Sequence, residues 1–329
     1  MSHIESKLFK PLTREEIDAI VKDYWGPLPS PMGCTLLKGG LFNTTYLLEG
    51  ELPEHKWILR VAPEQLEHLF SFEKKMMASE GTIYRLMNVH GIPAPHVLHY
   101  NDSHTHVNRN YMIMEYIDSI PMNDPSITPE EHAMLEEELG RCLKKMHDIT
   151  ADRFGWPQPD GSVLGHDKWS AALTDFAQEV YDRCQTGELV ESSLLEEFLA
   201  CYTEQAPLYD EIKIPALVHN DIWDPNVLVT RNEDGVPQIA AIIDADRAMY
   251  SDREFELLLG SDAPAFMKGY QAELNTSPQA AARRTAYQML WKFASIYIFD
   301  QQIGDLEAAS KYRLEAEQLL RRFQQQIQA

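Results

Sequence analysis

Short apolar stretches separated by turn residues dominate the first third of the chain. β-Branched and aromatic residues are concentrated in five of these stretches, a pattern that predicts strands. A capping-box pattern at Thr13 and Glu16 predicts a helix that ends near Trp25, and residues 64–90 contain no interior turn signal and predict a second helix. The predicted strands cover residues 34–38, 44–49, 56–62, 96–100 and 111–116.

Helical spacing of apolar residues dominates the remainder of the chain. Thr128 and Glu131 repeat the capping-box pattern and begin a helix with a continuous apolar stripe. Only residues 216–245 have a β-like pattern in this part. We therefore predict an α+β fold with two lobes, a small β-rich lobe at residues 1–116 and a larger, mainly helical lobe at residues 117–329. Further helices are predicted over residues 168–185, 191–205, 253–273 and 278–326.

Composition narrows the range of partners. The chain has 29 Lys and Arg against 51 Asp and Glu, a formal net charge of −22, and no Lys/Arg-rich run. Nucleic acids and anionic membrane surfaces are bound through basic patches, so we expect neither as a partner. The sequence has no apolar run long enough for a membrane span, no apolar core of a secretion signal and no paired cysteine motif, which predicts a cytoplasmic protein. The oligomeric state stays open.

The β-like stretch contains the residues best suited to chemistry. Its two apolar runs flank Asp234-Gly235, which predicts an antiparallel hairpin. Asn226 precedes the first run and Asp244 follows the second, each nine residues from Gly235, so the hairpin would place them opposite each other. An amide oxygen and a carboxylate are hard ligands, suited to Mg²⁺ held together with substrate phosphates. Asp221, on the loop leading in, would point at a nucleophile near that metal.

This arrangement predicts phosphoryl transfer. Because the transition state is largely loose, an acceptor hydroxyl needs orientation and a proton acceptor more than a strong base. Any one of these residues alone would fit a loop-capping role. The spacing from His219 through Asp221 to Asn226, followed by a hairpin that ends in Asp244, is far more restrictive. The predicted reaction moves the γ-phosphoryl group of ATP or GTP to a hydroxyl of a small molecule.

The same residues resemble a known family. The run His219-Asn220-Asp221, with Asn226 and Asp244, is similar to the aminoglycoside phosphotransferase and choline kinase group, which has the protein-kinase-like fold. The resemblance extends through most of the chain, from a glycine turn after the first strand to the acidic segment that follows the hairpin. It implies a bilobal protein, in which the β-rich lobe binds nucleotide and the helical lobe supplies the catalytic loop.

The resemblance also implies a role for each matching residue. Asp221 would be the catalytic base, and Asn226 and Asp244 would hold Mg²⁺. Arg60 would contact the α- and β-phosphates and be held by Glu80, for which Glu73 is the rival. The residues implied in binding the nucleotide are Gly39, Gly40, Asn43, Arg60, Glu80, Glu115 and Ile117.

The acceptor is defined less sharply. Asn220 resembles choline and ethanolamine kinases, whereas Trp223 together with the acidic segment 252–256 resembles ketosamine (fructosamine) kinases. The remaining motifs fit aminoglycoside phosphotransferase relatives generally, and we expect this broad class, with the two metabolite kinases as alternatives. Regulated protein kinases have arginine at the position of Asn220, and the segment after Asp244 is short, so a small acceptor is favoured over a protein.

Charge suggests what the acceptor is. The acidic surplus would attract a cation, so we expect an amine-bearing acceptor, although acidity also serves solubility. Three carboxylates flank the predicted catalytic residues, and Trp223 could offer an aromatic face to an ammonium group. The expected acceptor residues are Trp223, Asp224, Asp246 and Asp252.

Two functions of another class stay open at this stage. The first is a catalytically silent nucleotide-binding protein of the same fold, against which stands the presence of every expected catalytic and metal-binding side chain. The second is a metal-dependent phosphohydrolase, whose carboxylates would be Asp221, Asp224, Asp244 and Asp246. A phosphohydrolase of this kind would not explain the β-rich first part of the chain.

Overall fold

A five-stranded antiparallel sheet forms the first part of the protein, in the order β1-β2-β3-β5-β4. The computed structural model describes residues 6–37, 41–52, 54–256 and 263–328. All five predicted strands are confirmed to within a few residues at their ends. The strands are β1 (Gly33–Leu36), β2 (Thr44–Glu49), β3 (Lys56–Val61), β4 (Val97–Asn101) and β5 (Tyr111–Glu115).

Two helices accompany this sheet, α1 (Arg14–Trp25) and α2 (Met76–Val89). The capping box predicted for α1 is present, since the Thr13 hydroxyl accepts from the backbone of Glu16 and the Glu16 carboxylate accepts from the backbone of Thr13. The buried face of α1 packs on the sheet and closes a small apolar core. Helix α2 lies between that sheet and the second part of the protein.

The second part is mainly helical, as predicted. Its longest helices bury their apolar faces against one another in a core rich in aromatic side chains. The cap at Thr128 and the predicted position of the following helix are confirmed. The helices are α3 (Pro129–His147), α4 (Trp169–Thr186), α5 (Ser192–Thr203), α6 (Ala206–Tyr209), α7 (Pro264–Tyr270), α8 (Pro278–Tyr297) and α9 (Leu306–Gln328).

Two small sheets are set among these helices. The predicted hairpin is present as β10 (Val227–Arg231) and β11 (Pro237–Ile242), and β6 (Ile120–Pro121) pairs with its outer side. The other sheet has the order β8-β7-β12-β9, and three of its strands were not predicted because they are three or four residues long. They are β7 (Phe154–Pro157), β8 (Val163–His166), β9 (Ala216–Val218) and β12 (Met249–Ser251).

The helix predicted over residues 64–90 is wrong in its first half. Two 3₁₀ turns, Leu66–His68 and Glu73–Lys75, precede α2. Contacts with the helical part hold this segment in a non-helical path, because Arg183 donates to the Glu67 carbonyl at 2.6 Å and Gln302 donates to the His68 carbonyl at 2.9 Å. Tertiary hydrogen bonds therefore override local propensity here.

Two other predicted helices are also corrected. The span 278–326 is two helices, separated by a π-helical turn at Ile298–Ile303 and by Gly304, whose φ of 90° no regular helix contains. The span 253–273 begins with a 3₁₀ turn and becomes α-helical only in α7, while residues 257–262 lie outside the described part of the chain. In both spans the sequence prediction missed the breaks between helical segments.

One apolar cluster joins the two parts. Met77 and Ile83 of α2, Met114 of β5, Leu139 of α3 and Val229 of β10 all belong to it. Because these residues share one cluster, the hairpin lies next to α2 and to the sheet. In the described residues, no helix is long and apolar enough to cross a membrane.

Candidate active site

The turn that follows the hairpin brings the two predicted metal ligands together. Val227 pairs with Ile242, and the backbone N–H of Ile243 donates to the Asn226 carbonyl at 2.9 Å. The next residue, Asp244, has a left-handed φ of 60°. A non-glycine residue in this region is held there at a cost by its surroundings, and such positions cluster at functional sites. The side chains of Asn226 and Asp244 thus project from adjacent positions at the open end of the hairpin.

Asn226 is tied to Asp221. Its amide nitrogen donates to the backbone carbonyl of Asp221 at 2.9 Å and to its carboxylate at 3.1 Å. Because the nitrogen is used in this way, the amide oxygen faces elsewhere, and it accepts no hydrogen bond from the described residues. Burial raises the pKa of Asp221, and this effect outweighs the opposing charges of Arg247 and His219. A half-buried carboxylate with a raised pKa is a suitable proton acceptor.

A cluster of buried charged side chains lies next to Asp244. The guanidinium of Arg60, on β3, pairs with Glu80 of α2 and lies 2.7 Å from the Asp244 carboxylate. Arg60 is 6% exposed and Glu80 is fully buried. Burial alone would lower the pKa of Arg60, but the charges of Glu80 and Asp244 raise it well above its ordinary value. Glu80, and not its rival Glu73, is therefore the residue that the fold brings to Arg60.

Tyr84 completes this cluster and was missed by the sequence reasoning. Its hydroxyl donates to the Glu80 carboxylate at 2.5 Å and accepts from the backbone N–H of Asp244 at 3.0 Å. It thereby links the helix to the turn that contains Asp244. The signal was present, since Tyr84 follows Glu80 by four residues and so shares its helix face.

Asp246 and Asn43 also belong to this cluster. The Asp246 carboxylate lies 3.6 Å from the Arg60 guanidinium and accepts from the Asn43 amide at 3.4 Å. Burial, together with the charges of Glu80 and Asp244, raises the pKa of Asp246 well above its ordinary value. The oxygen of the Asn43 amide is buried and has no partner in the described part of the chain. Gly39 and Gly40, predicted beside Asn43, lie outside the described residues.

A second buried carboxylate organises the loop that contains Asp221. Glu256 accepts from the backbone N–H groups of His219 and Asn220, each at 2.8 Å, and from the His147 ring at 2.9 Å. Asn220 has a left-handed φ of 65°, and these bonds hold it there. Burial alone would raise the pKa of Glu256, but the His147 hydrogen bond and nearby positive charge lower it. Glu256 lies in the acidic segment noted in the sequence, although its role was not predicted.

The segment between β5 and β6 contains a backbone N–H group that is free in the described part of the chain. Glu115 is the last residue of β5, and its N–H donates to the His96 carbonyl at 3.1 Å. Ile117 lies just beyond the strand, where its carbonyl accepts from the Ser119 hydroxyl at 2.9 Å. Its N–H donates to no group in the described part of the chain. An N–H of this kind is available to a planar ligand edge.

The four predicted acceptor residues are not all together. Trp223 is 57% exposed and lines a pocket with Asp224, whose carboxylate accepts from the His132 ring at 2.9 Å. Asp246 lies instead with Arg60. Asp252 is 4% exposed and accepts from the Tyr287 hydroxyl at 2.9 Å, so it is part of the interior. The other residues that line the pocket are Met122, Glu136, Leu139, Leu143, Ile222, Glu256, Ala263 and Phe266.

The donor groups fit a magnesium ion shared with phosphates better than a metal held by protein alone. The described residues contain no group of three or more His, Cys, Asp or Glu able to hold a metal. Mg²⁺ is usually held by one or two carboxylates together with substrate phosphates and water. The free amide oxygen of Asn226 and the carboxylate of Asp244, which is 38% exposed, match that pattern.

Comparison with known proteins decides the family. A profile described as "Phosphotransferase enzyme family" matches residues 33–294. The chain belongs to the phosphotransferase enzyme family. This phosphotransferase is 21% identical over 264 residues to a probable ketoamine kinase of Vibrio parahaemolyticus, an alignment that covers 77% of this chain and 82% of that protein. A probable ketoamine kinase of Lactiplantibacillus plantarum is 27% identical over 166 residues, which are 48% of this chain and 55% of that protein.

Solved structures show the fold. A thermostable mutant of the aminoglycoside phosphotransferase APH(4)-Ia, crystallised with AMP-PNP and hygromycin B, superposes with a TM-score of 0.64 at 17% identity. The superposition covers 93% of this phosphotransferase and 98% of that chain. The predicted α+β, protein-kinase-like fold is thereby confirmed, and so is the family resemblance on which it was based. The chain is a phosphotransferase.

Proposed function

We propose that this phosphotransferase moves the γ-phosphoryl group of ATP, bound with Mg²⁺, to a hydroxyl of a small amine-bearing molecule. The observation that carries the proposal is the junction of two clusters at Asp244. On one side Arg60 lies 2.7 Å from that carboxylate, and on the other the hairpin sets Asp244 beside Asn226, which is bonded to Asp221. Phosphate, metal and acceptor groups would therefore meet at one point.

Different residues would bind the metal, the phosphates and the adenine. Asn226 and Asp244 would hold Mg²⁺, which neutralises charge on the phosphates. Arg60, kept in place by Glu80, would contact the α- and β-phosphates, and the free N–H of Ile117 would meet the adenine edge. The contacts of Arg60 with Glu80 and of Tyr84 with Asp244 already hold these groups in place.

Asp221 would act on the acceptor. Its carboxylate would accept a hydrogen bond from the acceptor hydroxyl and orient that oxygen toward the γ-phosphorus. As the new O–P bond forms, the bond between the γ-phosphorus and the bridging oxygen breaks, and ADP leaves with the electron pair. The hydroxyl proton passes to the Asp221 carboxylate. The raised pKa of Asp221 favours this transfer.

Among amine-bearing acceptors, a ketosamine is the first to test. Two curated relatives are named probable ketoamine kinases, one of them matched over 77% of this chain. The exposed indole of Trp223, with Asp224 and Glu136 nearby, offers an aromatic face and negative charge to an amine-bearing sugar. Aminoglycosides, which are larger and polycationic, are the second class, in view of the structural likeness.

A coupled assay of ADP release tests the proposal. The purified protein would be given Mg·ATP with fructosyl-lysine, hygromycin B, choline or ethanolamine, each with and without EDTA. We expect turnover that requires Mg²⁺ and an acceptor, with fructosyl-lysine ahead of choline. Binding of Mg·ATP without turnover on any of these acceptors would instead support a silent nucleotide-binding protein.

A further inference from the structure

Arg247 is a half-buried cation whose guanidinium has no hydrogen-bond acceptor or ion-pair partner in the described part of the chain. It ends the 3₁₀ turn Ala245–Arg247, three residues after Asp244. Its guanidinium makes neither a hydrogen bond nor a salt bridge with the described residues, and it lies over the Trp291 ring, with 6.0 Å between the guanidinium carbon and the ring centroid. A guanidinium carries five donors, so leaving all of them without a protein acceptor in a half-buried position is costly.

The other buried arginines differ from Arg247 in this respect. Arg109 donates to two backbone carbonyls and to the Thr44 hydroxyl. Arg283 donates to the Leu208 carbonyl and pairs with a glutamate, and Arg60 has the carboxylates described above. The fold therefore gives each of these guanidinium groups at least one acceptor, although the Arg283 Nε atom has no hydrogen-bond partner among the described residues. At Arg247 it leaves the donors free, which is the arrangement expected of a group whose partner is a ligand.

The position of Arg247 identifies that ligand. Its backbone carbonyl accepts from the side chain of Asn220 at 3.1 Å, which ties it to the loop that contains Asp221. Its neighbour Asp246 belongs to the Arg60 cluster. Arg247 thus stands between the residue proposed to orient the acceptor and the residues proposed to hold the phosphates. The carboxylates of Asp221 and Glu73 are the two whose charge most raises the pKa of Arg247, against the lowering effect of burial.

A purely structural pairing with Glu73 does not account for Arg247. One oxygen of the Glu73 carboxylate accepts from the Phe70 N–H at 2.8 Å and from Gln302 at 2.7 Å. The other oxygen is buried and has no partner in the described part of the chain. If the two residues served only to stabilise the fold, a direct ion pair would satisfy both, and the structure does not form one.

We propose that Arg247 binds the γ-phosphoryl group and stabilises its charge during transfer, as an arginine supplied within the same chain. The proposal rests on the proposed function and adds a residue to it. In phosphoryl transfer the protein acts chiefly by positioning and by electrostatic stabilisation of the equatorial oxygens, a task for which the guanidinium fork is suited. Arg60 reaches the site from the nucleotide side, and Arg247 reaches it from the acceptor side.

A comparison of two nucleotides tests this assignment. Calorimetry would measure the dissociation constants of Mg·ADP and of Mg·AMP-PNP, which differ in the γ-phosphoryl group. For Arg247→Met we expect binding of Mg·AMP-PNP to weaken about 10- to 100-fold, the loss of a charge-assisted hydrogen bond. Binding of Mg·ADP should stay within about two-fold. Arg247→Lys, which keeps the charge without the fork, should fall between the parent and Arg247→Met.

The control is Arg141→Met, which removes an exposed arginine of α3 that pairs with Glu137. It should leave both constants unchanged. Equal weakening of both nucleotides in Arg247→Met, or no weakening of either, would overturn the assignment. If the Met variant melts well below the parent, Arg247→Lys and Arg247→Gln decide by the same difference. Failure of the unmodified protein to bind either nucleotide would contradict the proposed function itself, an outcome distinct from those of the variants.

Discussion

The residues proposed to bind the nucleotide (the donor side) differ in burial from those proposed to bind the acceptor (the acceptor side). On the donor side, Arg60 and Glu80 are almost fully buried and are bonded to each other and, through Tyr84, to Asp244. On the acceptor side, Trp223 is 57% exposed, and the Asp224 side chain is 42% exposed and accepts a hydrogen bond from the His132 ring. The donor side is a closed network, whereas the acceptor side is an open pocket edge.

This difference predicts how the two sets of residues respond to substitution. A buried charged network tolerates little change, since an unpaired buried charge is costly. Exposed side chains at a pocket edge are free to change with the acceptor. The donor side should therefore respond to substitution with large losses, and the acceptor side with small losses that depend on the substrate.

The largest effect is expected at Asp221, the proposed proton acceptor. Asp221→Asn keeps the shape of the side chain and removes the proton acceptor, so kcat should fall about 10²- to 10⁴-fold. The affinity for Mg·AMP-PNP should change little, because Asp221 is not proposed to touch the nucleotide. Single-turnover kinetics and calorimetry measure the two quantities separately. Near-normal kcat in a folded variant would remove Asp221 from the mechanism.

Loss of a donor-side metal ligand comes next. Asp244→Ala removes the charged ligand, and tight binding of the magnesium nucleotide should be lost. Asn226→Ala removes a neutral ligand, and its effect should be smaller. Calorimetric titration with Mg·AMP-PNP compares the two variants directly. Parent-like binding by Asp244→Ala would show that the metal is held elsewhere.

The loop that joins the two sides should respond to Glu256→Gln. The new amide keeps one acceptor oxygen and turns an NH₂ group toward a backbone donor, so stability should fall by about 1–3 kcal/mol. The Asp221 loop should lose its position, and kcat should fall with it. The matched control is Glu254→Gln, a neighbouring buried acid that bonds to Arg284 and Asn275. It should lose stability but keep kcat.

The same residue gives a pH dependence. The folded-state pKa of Glu256 is below its ordinary value, so its contribution to stability is complete above the ordinary carboxyl range and is lost as the pH falls through the lowered pKa. Thermal melts of the parent and of Glu256→Gln, recorded down to acid pH, should converge there. A constant difference in melting temperature across the range would contradict this.

The Arg60–Glu80 pair should show coupling. Each single substitution leaves a buried charge without its partner, and the double variant removes both charges. The effects on the nucleotide KM should therefore be non-additive, with a coupling energy of about 0.5–3 kcal/mol. The control is a second cycle, in which the same Arg60 substitution is combined with Glu73→Gln. Its effects should be additive. Additivity in the Arg60–Glu80 cycle would show that the contact has no energetic role in binding.

The smallest effects are expected on the acceptor side. Asp224→Asn should raise the acceptor KM by about two- to five-fold, the scale of an exposed charge interaction, and leave the nucleotide KM unchanged. For a cationic acceptor, kcat/KM should fall as ionic strength rises from about 0.01 to 0.15 M. A rate indifferent to salt would remove the argument from charge and leave the donor side untouched.

The hairpin and the five strands could be predicted because their signals are local. The spacing of Asp221, Asn226 and Asp244 around a hairpin is visible in the chain, and five strands were found from their apolar runs. Tyr84 and Glu256 were missed since their roles depend on contacts with residues 160 and 37 positions away in the sequence. Asp252 was misplaced because nearness in sequence to Asp244 does not determine on which side of β12 a carboxylate emerges.

The strongest departure from the sequence prediction, the stretch before α2, has the same origin. Helical propensity favoured a continuous helix, but hydrogen bonds from Arg183 and Gln302 hold the stretch against the helical part. Long-range contacts of this kind have no periodic signature in the sequence. The acceptor stays a proposal for a related reason, as it depends on exposed side chains such as Trp223 that no local rule constrains.

The most direct test of phosphoryl transfer follows the phosphorus atom itself. The protein would be incubated with ATP, Mg²⁺ and fructosyl-lysine, and ³¹P NMR would record the γ-phosphoryl resonance. We predict that this resonance is replaced by that of a phosphomonoester on the acceptor, that ADP appears in equal amount, and that EDTA stops both changes. Release of inorganic phosphate with no phosphomonoester, at a rate independent of every acceptor supplied, would show a phosphohydrolase and contradict the account.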